Sequence, residues 1–356
     1  MKIAFSIAHM GLGGAQRVTL NLVHWINNNS NNEAFILMGN NSGKGDFMYP
    51  LEGIRHHILP KSQFARIIEL RKQLIKERPE VLITMGMSDT IYDSIACIGL
   101  PVKHIISERN DPRNFNGKFI TKWISRFLAC FADGYVFQTK EAMNYYRLSC
   151  FKKGTVIPNP LIGLNQMPEK PFDGKRRKEI VAVGRLNIQK NHPLLIRAFA
   201  DVKNVFPEYN LRIYGEGPTK NDLIRLIEEL GLHNRVYLSG AVNNIFSKIY
   251  DAELFVLSSN FEGMPNALME AMALGIPCIS TDCPCGGPRE LINNGQNGLL
   301  VNVKDQAGLK TALTKMLSQP ELRQKIGING FNIRKEFGIE IISKRWLDYI
   351  TQITEK

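Results

Sequence analysis

The sequence has no long hydrophobic run. No run within its 356 residues approaches the roughly 20 consecutive apolar residues that a membrane-spanning helix needs. The opening stretch MKIAFSIAHMGLGGAQ has a short apolar core, but it runs on into glycines and a helical pattern. We therefore interpret it as a first strand and a glycine loop, not as a signal peptide. The apolar fraction, 44%, is that of an ordinary globular chain, and the length suggests two domains.

Cysteine is scarce and poorly spaced for metal binding. The six cysteines lie at 97, 130, 150, 278, 283 and 285, and their one tight group, CISTDCPC, has three thiols without a fourth ligand in step. A structural zinc site needs four ligands. Free thiols in a reducing cytosol are the better interpretation.

Acidic residues are too few to balance the basic ones. The net charge is +12, and residues 1–170 carry 21 basic and 13 acidic residues, whereas the rest carries 24 and 20. The first part is therefore at +8 and the second at +4. Such an excess predicts an anionic partner for the first part: a nucleic acid, a membrane surface or a phosphorylated substrate.

Short runs rich in β-branched residues alternate with longer helical patterns. Many are apolar on both faces, which with intervening helices indicates parallel sheets covered on both sides. The predicted strands are KIAFSIA, AFILMG, VLITMG, HIISE, GYVFQ and GTVIPN, then EIVAVG, LRIYG, RVYLSG, ELFVLSS, PCIST and GLLVN.

The alternation is interrupted around residues 160–176, where PLIGLNQMPEKPFDGK has three prolines, two glycines and no periodicity. We interpret this segment as a linker between two Rossmann-like, doubly wound domains, residues 1–165 and 166–335. The end of the chain, 336–356, reads as an amphipathic helix with no strand after it, and we expect this helix to return to the N-terminal domain. We expect a ligand site in a cleft between the two domains, at the carboxyl ends of their strands.

A glycine loop follows the first strand. In HMGLGGAQRV, Gly11, Gly13 and Gly14 allow close approach of a ligand, and the helix that follows favours an anion. A dinucleotide fingerprint does not fit, because Gln16 replaces its third glycine and no acidic residue ends the second strand. A plain tight turn and a phosphate or sugar contact both remain open.

The loop VGRLNIQKN follows the first strand of the second half. Its Arg185 and Lys190 suit a diphosphate, which needs a planar fork and a point charge on adjacent phosphates. A solvated basic loop is the alternative. The later turn YGEGP is simplest as a strand-to-helix turn in which Glu216 stabilises the next helix.

Two glutamates stand out in NFEGMPNALMEAMALGIP. Pro265 suits the first turn of a helix and Gly275 its end, so Glu262 lies in the preceding loop and Glu270 inside the helix. That helix is apolar nearly all round and should be buried, where a carboxylate needs hydrogen-bond donors. A capping Glu262 and a Glu270 that reaches solvent are the plain alternative. Paired sugar hydroxyls would satisfy both, and no basic residue is near in sequence.

These segments together resemble family 4 glycosyltransferases, retaining enzymes of the GT-B fold. FEGMPNALMEAMALGIP resembles their E-x7-E motif, and the resemblance covers nearly the whole chain. The other matching segments, in the same order as in the family, are GGAQRV, VGRLNIQKNH, YGEGP, STDCPCGGPRELI and NGQNGLLV.

The resemblance implies roles for these residues. Glu270 would bind the donor ribose, Glu262 would lie beside the reacting sugar carbon, and Arg185 with Lys190 would hold the leaving diphosphate. On this basis the ligand supplies the hydrogen-bond partners of both glutamates. The donor-binding residues expected from the resemblance also include Gly13, Gly14, Gly263, Met264, Pro265 and Asn266.

One position departs from the family. Many relatives carry a histidine after the strand HIISE, where this chain has Arg109. Arg109 can contact the donor sugar or its phosphate but cannot act as a base at neutral pH. No acceptor base is assigned, and a front-face retaining mechanism does not require one. We expect no cofactor and no metal, because no D-x-D type pair lies in a plausible site.

A basic and aromatic helix is predicted over about 117–131. Lys118, Lys122 and Arg126 share one face, and Phe119, Trp123 and Phe127 share the adjacent one. This pattern suits contact with an anionic membrane, with Trp123 among the contact residues. Packing of the aromatic row into the core is the alternative.

The expected function is transfer of a hexose or N-acetylhexosamine, with α-GalNAc as best guess, from a UDP-sugar to a polyprenyl-diphosphate-linked bacterial glycan such as O-antigen. The family resemblance implies this acceptor and a peripheral site on the cytoplasmic face of the inner membrane. A UDP-sugar epimerase of similar fold is the alternative. Nucleic-acid binding is more remote, because the best basic-aromatic stretch is helical and no known motif occurs.

Overall fold

The computed structural model describes residues 1–11, 13–39, 49–114, 119–146, 151 and 153–355. The chain divides into two compact units. The first comprises Met1–Ile162 and Phe337–Lys356, and the second Gly163–Glu336. The predicted limits followed residues 165 and 335, and the observed ones follow Ile162 and Glu336.

Seven parallel strands of the described residues form the sheet of the first unit, in the order β3-β2-β1-β4-β5-β6-β7. The strands are β1 Lys2–Ile7, β2 Glu33–Gly39, β3 His56–Leu59, β4 Val81–Met85, β5 Lys103–Ser107, β6 Gly134–Phe137 and β7 Gly154–Val156. The helices between them are α1 Gly14–Asn29, α2 Gln63–Glu77, α3 Thr90–Cys97, α4 Phe119–Ala129 and α5 Lys140–Tyr145. This order contains the doubly wound arrangement of Rossmann folds.

Six parallel strands of the described residues form the second sheet, in the order β10-β9-β8-β11-β12-β13. The strands are β8 Arg177–Val183, β9 Asn210–Tyr214, β10 Val236–Leu238, β11 Ala252–Leu257, β12 Cys278–Thr281 and β13 Leu299–Val301. The helices are α6 His192–Val202, α7 Lys220–Glu229, α8 Ile245–Ile249, α9 Asn266–Ala273, α10 Gly287–Leu291, α11 Gln306–Ser318, α12 Pro320–Phe331 and α13 Arg334–Phe337.

The C-terminal helix, α14 Ile339–Thr354, packs on the first unit beside α1. Its Trp346 is fully buried in the same apolar cluster as strand β1. The Tyr349 hydroxyl donates to the Lys153 carbonyl oxygen at 3.0 Å and accepts from the Tyr135 backbone N–H at 2.9 Å. A Cβ on Gly134 would lie 2.6 Å from that hydroxyl, so a glycine is needed where β6 begins.

Every predicted strand segment contains an observed strand, and β3 was missed. β3 pairs with β2 alone, at the edge of the sheet, and His56 and His57 occupy half of its four positions. A short edge strand with exposed side chains lacks the apolar run that marks the buried strands.

Candidate active site

The candidate site of the second unit lies at the point in its sheet where the strand order reverses. β8 pairs with β9 on one side and with β11 on the other, so the chain leaves β8 toward one edge and returns at β11 on the opposite side. Open α/β sheets bind ligands at the carboxyl ends of their strands at such a point. The loop after β8 carries Arg185 and Lys190, and the loop after β11 carries Glu262.

Hydrogen bonds join these two loops. The Asn260 backbone N–H donates to the Gln189 carbonyl oxygen at 2.7 Å, and Gln189 Nε2 donates to the Phe261 carbonyl oxygen at 3.0 Å. Ser258 Oγ donates to the Lys190 carbonyl oxygen at 3.0 Å. Because the polar groups of each loop satisfy those of the other, the two loops hold one arrangement.

Lys190 and Glu262 form a close ion pair between the loops. Lys190 Nζ lies 2.6 Å from Glu262 Oε1, and Ser259 Oγ donates to the same oxygen at 2.7 Å. Gln189 Nε2 lies 3.4 Å from Glu262 Oε2. Glu262 is buried, with 6% of its surface exposed, and Lys190 is half-buried. A carboxylate is tolerated at such a depth because charge-assisted hydrogen bonds replace its water.

This ion pair corrects one expectation. The prediction that the partners of both glutamates arrive only with the ligand is wrong for Glu262, whose cation Lys190 comes from 72 positions earlier in the chain. Ser259 was missed although a signal existed, since three polar residues, 258–260, directly follow an apolar strand. Polar side chains at a strand's carboxyl end are candidates for a site of this kind.

The loop before α10 fixes the backbone of Glu262. The Glu262 N–H donates to the Pro284 carbonyl oxygen at 2.8 Å, and the Cys285 N–H donates to the Glu262 carbonyl oxygen at 3.0 Å. A Cβ on Gly287 would lie 1.8 Å from the Gly263 carbonyl oxygen, so only glycine allows this approach. The segment CPCGGP therefore supports the loop that carries Glu262.

Glu270 lies in the middle of α9 and is buried, with 6% exposed. Pro265 is the N-cap of this helix, one residue before the predicted position, and Asn266 is its first residue. The helix ends at Ala273, and the predicted Gly275, with a φ of +70°, follows its C-cap in a Schellman motif: the Gly275 N–H donates to the Met272 carbonyl oxygen at 2.8 Å and the Ile276 N–H to the Ala271 carbonyl oxygen at 3.1 Å. Met264 is buried before the N-cap.

Arg185 is exposed at the start of the loop after β8. The turn YGEGP packs against this loop: a Cβ on Gly215 would lie 2.0 Å from the Gly184 carbonyl oxygen, and one on Gly217 would lie 2.2 Å from the Leu186 carbonyl oxygen. Glu216 forms an ion pair at 3.0 Å with Lys220, the first residue of α7, as predicted. The lack of a side chain at Gly215 and Gly217 therefore lets the turn pack closely against the loop that carries Arg185.

His192 begins α6 directly after this loop and is buried. Burial and the nearby Lys190 charge lower the pKa of His192 to about 4. The ring is therefore neutral at physiological pH and leaves the positive charge of this loop to Arg185 and Lys190.

The glycine loop belongs to the first unit. Gly13 is the N-cap of α1 and Gly14 is its first residue. The Gly11 N–H donates to His9 Nδ1 at 3.1 Å, and Gln16 Nε2 lies 3.4 Å from the same nitrogen. Gly13 has an extended backbone, but a Cβ there would lie 2.3 Å from Gln16 Oε1. His9, Gly11 and Gln16 are therefore held together at the start of α1. The loop after β1 occupies the position in this sheet that the loop with Arg185, after β8, occupies in the second sheet.

Arg109 also lies in the first unit, two residues after β5, and is half-buried. Its Nη2 donates to Asn159 Oδ1. Burial lowers the pKa of Arg109 to about 10, although the neighbouring Glu108 charge opposes this shift. Arg109 therefore stays charged at neutral pH, in accord with the expectation that it cannot serve as a base.

Helix α4 turns its aromatic row outward. Trp123 is 59% exposed and Phe127 64%, so the alternative in which these two pack into the core is wrong. Lys122 and Arg126 of the basic row are half-buried: Lys122 Nζ lies 5.9 Å and Arg126 Cζ 5.0 Å from the centre of the Tyr145 ring, as cation–π contacts. Lys118 and the side chain of Phe119 lie outside what the structure describes.

The described cysteines, Cys97, Cys130, Cys278, Cys283 and Cys285, are free thiols. Burial raises the pKa of the Cys283 and Cys278 thiols, so neither is a ready nucleophile. In the described part of the chain, no group of three histidine, cysteine or acidic side chains is arranged to hold a metal ion. No described helix is both long and apolar enough to cross a membrane.

The fold defined by these two units is that of the GT-B glycosyltransferases. The structure matches Anabaena HepE in complex with UDP at a TM-score of 0.84 over 99% of this chain and 100% of that one, with 18% identity. It matches the lipopolysaccharide outer core galactosyltransferase WaaB at a TM-score of 0.79, with 24% identity over 99% of each chain.

The chain matches a family model over just under half of its length: its residues 165–333 match the model of the glycosyl transferases group 1. It is 28% identical over 371 aligned positions, 99% of each chain, to a Campylobacter jejuni α-1,4-N-acetyl-D-galactosaminyltransferase whose name gives a diNAcBac-PP-undecaprenol-linked acceptor. The resemblance drawn from the motifs is thereby confirmed.

Proposed function

We propose that this protein is a retaining glycosyltransferase that moves a hexose or N-acetylhexosamine, with α-GalNAc as first choice, from a UDP-sugar to a polyprenyl-diphosphate-linked glycan such as O-antigen. The observation that carries the proposal is the joined pair of loops in the second unit. They place Lys190 against the buried Glu262, with Arg185 on the same loop and Glu270 buried in the helix that follows. The Campylobacter relative's name supports the sugar and the lipid-linked acceptor.

In this proposal the loops stabilise the departing diphosphate. Arg185 and Lys190 hold the negative charge that grows as the bond to the sugar breaks. Glu262, 2.6 Å from Lys190 Nζ, keeps that ammonium in place before the donor arrives and lies beside the reacting carbon. Glu270 accepts hydrogen bonds from the ribose hydroxyls. The acceptor proton passes to the leaving phosphate oxygen on the same face of the sugar, so retention requires no protein base and no metal ion.

The proposed acceptor is lipid-linked, and the first unit has an apolar surface that suits a bilayer. Ile120 on α4 and Phe131, two residues after its end, are 69% and 73% exposed, beside the outward Trp123 and Phe127. Amphipathic helices with outward aromatic residues bind membrane interfaces. We therefore place the protein peripherally on the cytoplasmic face of the bacterial inner membrane.

Helix α2 of the same unit supports this placement. Phe64, Ile68 and Ile75 are 74%, 42% and 53% exposed and share one helical face. Lys61, at the start of that face, and Lys72 are exposed next to this apolar stripe. Helix α3 packs against both α2 and α4, so the two apolar surfaces belong to one layer of helices. Lysines beside them favour anionic lipid.

The direct test offers the protein a panel of nucleotide sugars with a synthetic polyprenyl-diphosphate saccharide and identifies the product by mass spectrometry. We expect the acceptor to gain one sugar in an α linkage, as read by NMR, with UDP released only when acceptor is present. The activity should survive EDTA. An altered UDP-sugar formed without acceptor would indicate an epimerase instead, and a loss on chelation restored by manganese would contradict the metal-free mechanism.

A further inference from the structure

The carboxyl ends of three neighbouring strands bring together Arg109, Gln138 and Asn159. Gln138 directly follows β6, and Asn159 lies three positions after β7. Arg109 Nη2 donates to Asn159 Oδ1, and Gln138 Nε2 donates to the same oxygen at 2.6 Å. Arg109 Nη1 makes a longer contact of 3.4 Å with Ser107 Oγ. The neutral Asn159 amide oxygen, which also accepts a hydrogen bond from Gln138, thus fixes the position of the guanidinium.

No carboxylate of the described residues forms an ion pair with this guanidinium, which donates to an amide oxygen and a hydroxyl oxygen. Its neighbour Glu108 is occupied elsewhere. Glu108 Oε1 accepts from the backbone N–H groups of Arg109 and Asn110 at 3.0 and 3.2 Å, and Oε2 accepts from the Tyr146 hydroxyl at 2.6 Å. Burial raises the pKa of Glu108, and both of its oxygens are taken up by these other donors.

Part of the guanidinium is nevertheless withdrawn from water, although the side chain as a whole is half-buried. The Arg109 Nε–H is buried and finds no acceptor among the described residues. A desolvated cation costs free energy unless an opposite charge faces it, and a guanidinium that is held rigidly pays little further entropy when it binds an oxyanion. A fixed direction, a buried N–H without an acceptor and the lack of an ion pair among the described residues are together features of an anion-binding site.

We propose that Arg109, aimed by the positioning residues Asn159 and Gln138, binds a phosphate-type anion at this end of the first unit's sheet. For the identity of the ligand this inference rests on the proposed function, which supplies such a group in two places: the diphosphate of the UDP-sugar and the diphosphate of the lipid-linked acceptor. Both present paired oxygens that suit the planar guanidinium.

The first experiment uses inorganic pyrophosphate as the probe and needs no activity. Calorimetry measures its Kd for an Arg185→Ala variant, which weakens the expected donor loop, and for the same variant with Arg109→Gln. We expect the second substitution to raise the Kd about tenfold or more, the usual cost of a lost charged hydrogen bond. Arg109→Lys, which keeps the charge without the fork, should lie between. A Kd that changes less than about twofold with Arg109→Gln overturns the site.

Asn159→Asp tests the positioning role separately. This change keeps the shape of the side chain but puts a carboxylate against the guanidinium, so it neutralises the cation without removing it. We expect pyrophosphate binding to fall as far as in Arg109→Gln while the melting temperature stays level or rises. Unchanged pyrophosphate affinity in a folded Asn159→Asp variant would show that this side chain does not control the guanidinium, and would overturn its positioning role.

A third measurement separates the two sources of the anion. Pyrophosphate is titrated into the unaltered protein saturated with UDP. Continued binding that Arg109→Gln abolishes assigns the site to the acceptor diphosphate, and exclusion by UDP assigns it to the donor. Failure of the proposed function is distinguishable, because the protein would then transfer no sugar and bind no UDP while the Arg109-dependent pyrophosphate binding persisted.

Discussion

In the second unit, polar side chains at the carboxyl ends of β8 and β11 are joined to one another and hold a buried carboxylate beside a lysine. In the first unit, the outer helices carry apolar surface instead: the four exposed tryptophan and phenylalanine side chains of the described residues are Phe64, Trp123, Phe127 and Phe131. Both units thus have a parallel sheet, but their surfaces differ. The second unit has the features of a phosphate-binding site, and the first has those of a surface that contacts an apolar phase.

The two units also use charge differently. Lys190 in the second unit is paired with Glu262 before any ligand arrives. Arg109 in the first unit donates to a neutral amide oxygen, and we propose that an anionic ligand supplies its counter-charge. Lys190 must divide its hydrogen bonds between Glu262 and an incoming diphosphate, whereas Arg109 would gain a counter-charge from its ligand. The loss of one cation should therefore act differently in each unit.

Arg185→Ala and Lys190→Ala carry the largest expected effect. Each should lower kcat by roughly 100-fold or more and raise the donor KM less, because the diphosphate charge that they stabilise is greatest in the transition state. Steady-state rates at saturating UDP-sugar measure this. Arg225→Ala, on the exposed side of α7 in the same unit, is the matched control and should leave kcat unchanged.

Losses below about threefold would indicate that the loop is a solvated basic loop after all. The Lys190 variant needs a check of its fold, since a buried Glu262 without its cation can cost about 3–5 kcal/mol of stability. Arg185 is exposed, so its variant provides the cleaner kinetic result.

A second prediction concerns a buried acid in the first unit. Burial, and then the charge of Asp89, raise the pKa of Asp93 to about 7 from 3.8, while Thr84 Oγ1 donates to Asp93 Oδ2 at 2.6 Å. The unfolded chain loses this proton near pH 4 and the folded chain keeps it to about pH 7. The contribution of Asp93 to stability is therefore fully present below pH 4 and is lost as the pH rises to 7.

Asp93→Asn should remove that part of the pH dependence. We expect the free energy of unfolding of the variant, relative to the unaltered protein, to rise by roughly 2–4 kcal/mol between pH 4 and pH 7. Urea unfolding at several pH values measures it. A difference that stays constant across this range would contradict the raised pKa.

The smallest expected effect is on the membrane-facing surface. Trp123→Ser with Phe127→Ser should weaken binding to anionic vesicles by about 1–3 kcal/mol, because two exposed aromatic side chains lose their burial in lipid. Vesicle flotation measures this. The melting temperature should barely change, and Val205→Ser, an equally exposed apolar position of the second unit, should have no effect on flotation.

Charge on the same helix gives a further test of this surface. Changing Lys118, Lys122 and Arg126 to glutamate should also release the protein from anionic vesicles, and high salt should imitate the effect. Lys122 and Arg126 contact the Tyr145 ring, so a small loss of stability is expected as well. If the aromatic double variant unfolds and the charge variant still binds vesicles, helix α4 is structural.

The sequence could predict what depends on local pattern. Apolar runs marked the buried strands, and Pro265 and Gly275 marked the ends of α9. Periodicity showed that α4 has a basic row and an aromatic row. It could not say which row faces the protein, because that is decided by Tyr145, which lies on another helix.

The details of the sites were not accessible in the same way. Lys190 meets Glu262 across 72 positions, and Arg109 meets Asn159 across 50. Such pairs depend on which strands become neighbours in the sheet. A single sequence shows where each strand ends, but not which strand ends lie side by side.

The second unit should bind the UDP part of the donor, and the outer helices of the first unit should not. A calorimetric titration of UDP into three proteins tests this: the unaltered chain, Glu270→Ala and Trp123→Ser with Phe127→Ser. We predict that Glu270→Ala weakens UDP binding by about 1–3 kcal/mol, since the ribose hydroxyls lose a charged acceptor, and that the aromatic variant binds UDP as the unaltered chain does. Equal UDP affinity in the unaltered chain and a folded Glu270→Ala variant, or a loss confined to the aromatic variant, would contradict the account.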